Sequence, residues 1–283
     1  MLEVICIEGL DGVGKASVTR AVNEILRTAG YSTFQIDFPR YSTPTGKVIR
    51  NILDGEYGHT PTLPPDLIGP SWTLDRIGWF RDNLDFLIPG YDYLILDRSY
   101  FSNFMYQGAK VFYRSGRGAR NFSALTEWLI NNYRWEFELT GLDNFNKIKL
   151  STIVLTLDEE SRKRQMQNRT EKDLNEKTED YQKMVESFLY DMQTEDSKLH
   201  VRWGLNVNRT LSDEFKDNII KHYFDHVNIY PISSAKIVEN AIPGSNEEMH
   251  NKNLIKNSIM MNAAGLVLKH INSSTCLNEG LKW

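Results

Sequence analysis

An α/β fold, five parallel strands with helices on both faces of the sheet, is what the sequence predicts, and three observations predict it. Apolar runs alternate with helical patterns along the chain. The first run, Val4-Ile5-Cys6-Ile7, feeds a glycine turn that opens a helix. The run Tyr91 to Asp97 (YDYLILD) is apolar enough to lie in mid-sheet. Such sheets are wound by right-handed crossovers and take ligands beyond the carboxyl ends of their strands. The stretches after residues 8, 37 and 97 are therefore the places to inspect.

Taken in order, the first helix is expected over about 15–29, with Ala29-Gly30 as its stop and Tyr31 to Asp37 as the second strand. Phe38-Pro39-Arg40-Tyr41 breaks regular structure, because proline fixes its own φ and restricts its neighbour. A short helix follows over Thr45 to Leu53. Four prolines mark Gly55 to Pro70 as loop, and Ser71 reads as the N-cap of a helix to Leu87 that Pro89-Gly90 ends. After the Tyr91 to Asp97 strand come helices at Ser99 to Tyr113 and Ser123 to Leu139, then a fourth strand at Lys149 to Leu157. The polar stretch Asp158 to Asp191 reads as two helices with a mobile turn near 170–175, and 195–225 as an added helix and loop. His226 to Ile232 gives the fifth strand and Glu247 to Ile271 a long last helix.

At 283 residues, 41% apolar and 25% charged, the chain has the composition of a soluble globular protein. A net charge of −4 argues against a nucleic-acid binder, which would carry a basic surplus. Cys6 and Cys276 form no disulfide framework or metal-binding spacing. The N-terminus enters a strand at once and no apolar run approaches ~18 residues, so neither a signal peptide nor a membrane span is expected, and the location expected is cytoplasmic.

The turn after the first strand, Gly9-Leu10-Asp11-Gly12-Val13-Gly14-Lys15-Ala16-Ser17, reads as G-x-x-x-x-G-K-[ST] with one fault: Ala16 holds the hydroxyl position and Ser17 comes one residue late. Glycines let successive backbone N–H groups converge on an anion, the helix N-terminus adds partial positive charge, and Lys15 reaches the outer phosphates. ATP-binding residues are thus Gly9, Gly12, Gly14, Lys15, Ala16 and Ser17. The third strand ends in Asp97-Arg98-Ser99. Asp97 suits a Mg²⁺ role, and the forked guanidinium of Arg98 suits phosphate.

Three motifs together resemble the thymidylate kinases, within the nucleoside-monophosphate kinases. They are Ile7 to Lys15; Phe38-Pro39-Arg40-Tyr41-Ser42-Thr43 with Gly46 and Leu53-Asp54-Gly55-Glu56; and Asp97-Arg98 with Ser102-Asn103 and Tyr106-Gln107-Gly108. The likeness covers residues 1 to about 192 and resumes at about 226. It implies one P-loop kinase domain over 1–283, with a helical lid at about 158–180 and insertions near 113–148 and 195–225.

By that resemblance, Asp11 orients the acceptor phosphate or the metal, Lys15 holds the donor phosphates, and Arg40 and Tyr41 lie near the acceptor phosphate beside Phe38. Trp72 and Arg76 occupy the spacing of the family's base-stacking aromatic and base-bonding arginine. Asn103 reads the pyrimidine edge, Tyr106 closes on the sugar, and Gln107 lines the same wall. Gly12 follows Asp11 where one branch of the family has arginine, so the chain resembles the branch whose lid carries the catalytic arginine. Arg162, Arg164 and Arg169 are the lid arginines, with Arg164 and Arg169 the catalytic candidates beside Asp11, Lys15 and Arg98. Glu176 joins Asp11 and Asp97 as a metal candidate. The resemblance also implies Mg²⁺, ATP as donor, small nucleotides as partners and a homodimer. Ala16, and Ser99 in place of an aromatic, depart from the pattern. The activity implied is phosphorylation of a pyrimidine deoxynucleoside monophosphate, dTMP first. Two other readings stand beside it: a deoxynucleoside kinase acting on thymidine, which Arg98-Ser99 also suggests, and a nucleotide-binding protein without catalysis.

Overall fold

The computed structural model describes residues 1–114, 119–144, 146–157, 162, 178–207, 210–225 and 227–231, together with 264, 265, 268 and 269. Strand β1 (Leu2–Gly9) is buried along its whole length and sits between β3 (Tyr93–Asp97) and β4 (Ile148–Thr156). With β2 (Thr33–Asp37) outside β3, these strands form a parallel sheet in the order β2-β3-β1-β4, and β5 (Val227–Pro231) pairs along the free side of β4. Asp37 and Asp97 pair in register, so β2 and β3 finish level, while Ile7 pairs with Asp97 and β1 runs on to Gly9. Their apolar runs follow from this placement, since a strand covered on both faces has no side to give to water.

Helix α1 (Lys15–Thr28) starts at the glycine turn and connects β1 to β2; Val18, Ala21, Val22 and Leu26 are its buried side chains. Helix α2 (Pro44–Asp54) is capped by the Thr43 side chain, which accepts from the Gly46 amide at 3.0 Å. Gly46 must be glycine: a Cβ there would collide with the Arg40 carbonyl.

Helix α3 (Pro65–Gly90) begins six residues before the expected Ser71. Most of 55–70 was expected as loop on its prolines, yet Pro65 sits at the first helical position, where no donor is needed. Pro70 forfeits only the bond to the carbonyl of Asp66, and both residues are exposed, so water replaces it. Pro89 likewise lies within the last turn rather than beyond it.

Helix α4 spans 100–112. Tyr100–Asn103 and Ala109–Phe112 are α-helical, and Phe104–Gly108 between them is a π-helical turn. Helix α5 (Phe122–Tyr133) runs straight into a second π-turn, Arg134–Glu138. The stretch after 195 holds two helices rather than the single one expected: α7 (Glu195–Val207) and α8 (Asp213–Ile220) follow α6 (Glu179–Met192). Phe104, Phe112, Phe188 and Tyr223 pack α4 against α6 and against the π-turn Lys221–Asp225 that follows α8. Most of the expected lid, including Arg164, Arg169 and Glu176, and most of the expected last helix lie outside the described residues. No described helix is long and apolar enough to cross a membrane.

Candidate active site

The glycine turn after β1 has the backbone its sequence demands. Gly9, Gly12 and Gly14 all have positive φ (139°, 85° and 89°), conformations that favour glycine, and Gly14 caps α1 in the left-handed region. A Cβ on Gly9 would also strike the Leu155 carbonyl of the neighbouring strand. Lys15 is buried and folds back over the turn, donating to the carbonyls of Gly9 (2.9 Å) and Leu10 (2.8 Å), with the Asp11 carboxylate 3.7 Å away. Burial, and then Arg98, push its ammonium down to about 8, against the opposing pull of Asp11, Asp97 and Glu8. Ala16 is exposed at the first turn of α1, and Ser17 is half-buried behind it.

Arg98 leaves β3 with a φ of 69°, the only positive φ on a non-glycine residue among those described. That turn sends its guanidinium onto Asp11, which also accepts from the Tyr106 hydroxyl at 2.8 Å. Asp97 is buried at the strand end, and burial holds its carboxyl above the usual range although Lys15 and Arg98 pull it down. Among the described residues, no group of three or more His, Cys, Asp or Glu stands ready to hold a metal ion. Two hard oxygen donors beside a phosphate turn nevertheless fit Mg²⁺, which keeps several waters and leans on one or two carboxylates plus substrate phosphates.

Beneath this cluster lies Glu8, fully buried. It accepts from the Ser99 amide (2.5 Å) and hydroxyl (2.8 Å) and from the Ser102 amide (3.1 Å) and hydroxyl (2.6 Å). Ser99 therefore has a structural reason to replace an aromatic: it caps α4 and ties that helix to β1. Burial raises the Glu8 carboxyl, and these donors and Arg98 hold it down in part.

One cleft gathers the residues singled out for the acceptor nucleotide, while Lys15, Asp97 and the glycines of the turn do not line it. Asp11 and Arg98 line one side of it, Phe38 and Tyr41 another. Trp72 and Arg76 reach it from α3, and Asn103, Tyr106 and Gln107 from α4. Arg40 is the exception among the residues expected at the acceptor. It does not line the cleft, and its Nη2 instead donates to the Asp75 backbone carbonyl (2.7 Å) and carboxylate (3.1 Å), while its amide donates to the same carboxylate at 2.8 Å. Thr43 and Thr45 complete the shell of this buried Asp75 at 3.1 and 2.8 Å.

Arg76 is also paired. Its Nη2 lies 2.7 Å from both carboxylate oxygens of Glu136, which comes from the π-turn after α5. Glu136 further accepts from Thr73 (2.7 Å) and from the Asn103 amide nitrogen (2.8 Å). Sequence reading missed Asp75 and Glu136, and it quoted Glu8 only as part of a motif. A signal existed for Glu136: it falls where the buried stripe Leu125, Leu129, Tyr133 calls for an apolar side chain.

Residues 7–117 match the family model described as thymidylate kinase. Over 109 residues the chain is 33% identical to thymidylate kinase of Mycobacterium tuberculosis (strain CDC 1551 / Oshkosh), covering 38% of this chain and 50% of that protein. A probable thymidylate kinase of Archaeoglobus fulgidus is 30% identical over 113 residues, with the same coverage, 38% and 50%. The solved structure of thymidylate kinase from Candida albicans aligns over 92% of both chains at 22% identity, with a TM-score of 0.48. The chain spans about half the length of the curated relatives it matches. All three motifs fall in the matched stretch, so over residues 7–117 the chain is similar to the thymidylate kinases.

Proposed function

We propose that the chain transfers the γ-phosphoryl group of ATP to the 5′-phosphate of a pyrimidine deoxynucleoside monophosphate, with dTMP the preferred acceptor. One observation carries this reading: a single cleft at the carboxyl ends of the strands brings Asp11 and Arg98 together with Trp72, Asn103 and Tyr106. Phosphoryl transfer asks mainly for positioning and charge neutralisation. The amides of the glycine turn and Lys15 would hold the donor phosphates, which takes Lys15 off its own carbonyls. Arg98, steered by Asp11, would grip the acceptor phosphate. Trp72 offers a flat face for the base, and Tyr106 closes the sugar end. Asp11 and Asp97 would hold Mg²⁺, which when bound neutralises phosphate charge. Arg164 and Arg169 of the lid would complete the cationic shell.

A second reading has an observation of its own. Arg40, expected at the acceptor phosphate, is engaged with Asp75, an arrangement that suits an acceptor without a phosphate, such as thymidine. Coupled ADP release against dTMP, dUMP, dCMP, dGMP, thymidine and no acceptor separates the readings. Turnover led by dTMP supports the proposal, and thymidine outpacing dTMP overturns it. ATP binding without turnover on any acceptor would assign the chain to nucleotide binding alone.

A further inference from the structure

Glu136 stands outside the three motifs, in an inserted segment, yet it organises the part of the cleft where a base would lie. Arg76, Asn103 and Glu136 are 2%, 4% and 1% exposed, so their hydrogen bonds are settled among themselves. The Asn103 amide nitrogen faces three acceptors: Gly69 O at 3.1 Å, Thr73 Oγ1 at 3.2 Å and Glu136 Oε1 at 2.8 Å. A flipped amide would set its oxygen against the Glu136 carboxylate, so the orientation is dictated by chemistry. Asn103 Oδ1 is left buried, on a residue that lines the cleft, with no protein donor; Gln107 Oε1 is in the same condition. On the other side Arg76 has its charge matched by Glu136, while its Nε has no acceptor.

Buried polar atoms of this kind call for a partner. Two acceptors and one donor, on residues that share one wall, match a ring N–H flanked by a carbonyl. A ring nitrogen bearing a lone pair would instead meet the oxygen of Asn103.

We infer that Glu136 is a specificity-determining positioning residue. By pinning the Asn103 amide and pairing Arg76, it sets the cleft to accept a pyrimidine with an imide N–H, as in uracil and thymine, and to reject an amino-pyrimidine. The inference rests on the reaction proposed above and adds the reason for its base preference. Neutralising Arg76 also leaves no uncompensated cation at the base, so a neutral ring is accepted there.

The test is coupled ADP release with dTMP, dUMP and dCMP on the wild type, Glu136→Gln and Glu136→Asp, with kcat and KM read separately. Glu136→Gln lets the Asn103 amide turn over. The wild-type preference for dTMP over dCMP in kcat/KM should fall by about tenfold or more, through the KM of the nucleotide acceptor, with the KM for ATP unchanged. Glu136→Asp keeps a charge opposite Arg76 but withdraws from Asn103, and should lose part of the preference. A folded Glu136→Gln enzyme with wild-type discrimination overturns the inference and leaves the reaction standing. Should the Gln variant fail to fold, an unchanged ratio in the Asp variant does the same. A wild type that phosphorylates none of the three overturns the reaction itself, and the inference with it.

Discussion

The strand ends and the helical wall of the cleft neutralise Lys15 and Arg76 in opposite ways. At the strand ends, Lys15 finds Asp11 within its own nine-residue turn, and Arg98, 87 residues along the chain from Asp11, comes to share it. On the helical wall, Arg76 depends on Glu136, sixty residues further along the chain. A fourth cation, Lys110 on α4, has no carboxylate within ion-pair reach among the described residues. It donates instead to the carbonyls of Thr60 (2.8 Å) and Leu63 (3.4 Å), against the face of Tyr181. A partner close in sequence is available whenever the local turn forms, whereas a distant one exists only once the whole domain has folded. Altering Lys15 should therefore fail in chemistry, and altering the Arg76–Glu136 pair in stability and selectivity.

The largest effect should come from Lys15→Ala. It should lower kcat/KM by several orders of magnitude, ~5 kcal/mol of transition-state stabilisation, with little change in the urea midpoint. A large loss of stability there would erase the contrast. Glu136→Ala should do the reverse, costing ~3–5 kcal/mol in urea unfolding because it strands a buried guanidinium. A cost under ~1 kcal/mol would show that Arg76 finds other compensation. Trp72→Ala should weaken acceptor binding by ~1–3 kcal/mol, as lost aromatic–base stacking does, without altering ATP binding in calorimetry.

The last effect is on pH dependence and concerns Lys110. Burial pulls its ammonium from 10.5 down to about 7, so between those values the unfolded chain binds more protons than the native one. The cost of charging Lys110 is full below pH 7 and is relieved as pH rises toward 10.5, so stability should rise across that window. Lys110→Met should flatten that slope in thermal unfolding, and an unchanged slope would mean the ammonium is better compensated than its contacts indicate.

These differences also explain what the sequence could reveal. The glycine turn and Lys15 were legible because their spacing is set by one strand–turn–helix unit, and Arg98 because it directly follows an apolar strand. Trp72 and Arg76 were placed on one helix face by i,i+4 spacing, and Asn103 and Tyr106 by i,i+3; all four line the cleft. The pairings of Arg40 with Asp75 and of Arg76 with Glu136 were not legible, because nothing in local periodicity says which distant carboxylate a folded chain will bring near. The start of α3 was misplaced because proline count alone does not distinguish a loop from a helix whose first turn needs no donors.

Tyr106, Gln107 and Glu136 all sit on widened turns, Phe104–Gly108 and Arg134–Glu138, each of which carries one residue more than ordinary helical winding would hold. Excising a single residue from the first would let the turn close to ordinary α-helical winding, leaving Lys110 in phase with the Thr60 carbonyl but displacing Tyr106 or Gln107 from the cleft. Chain length, as much as side-chain identity, decides which atoms this enzyme candidate presents to a bound nucleotide, and a one-codon deletion would re-aim the wall more thoroughly than any point substitution within it.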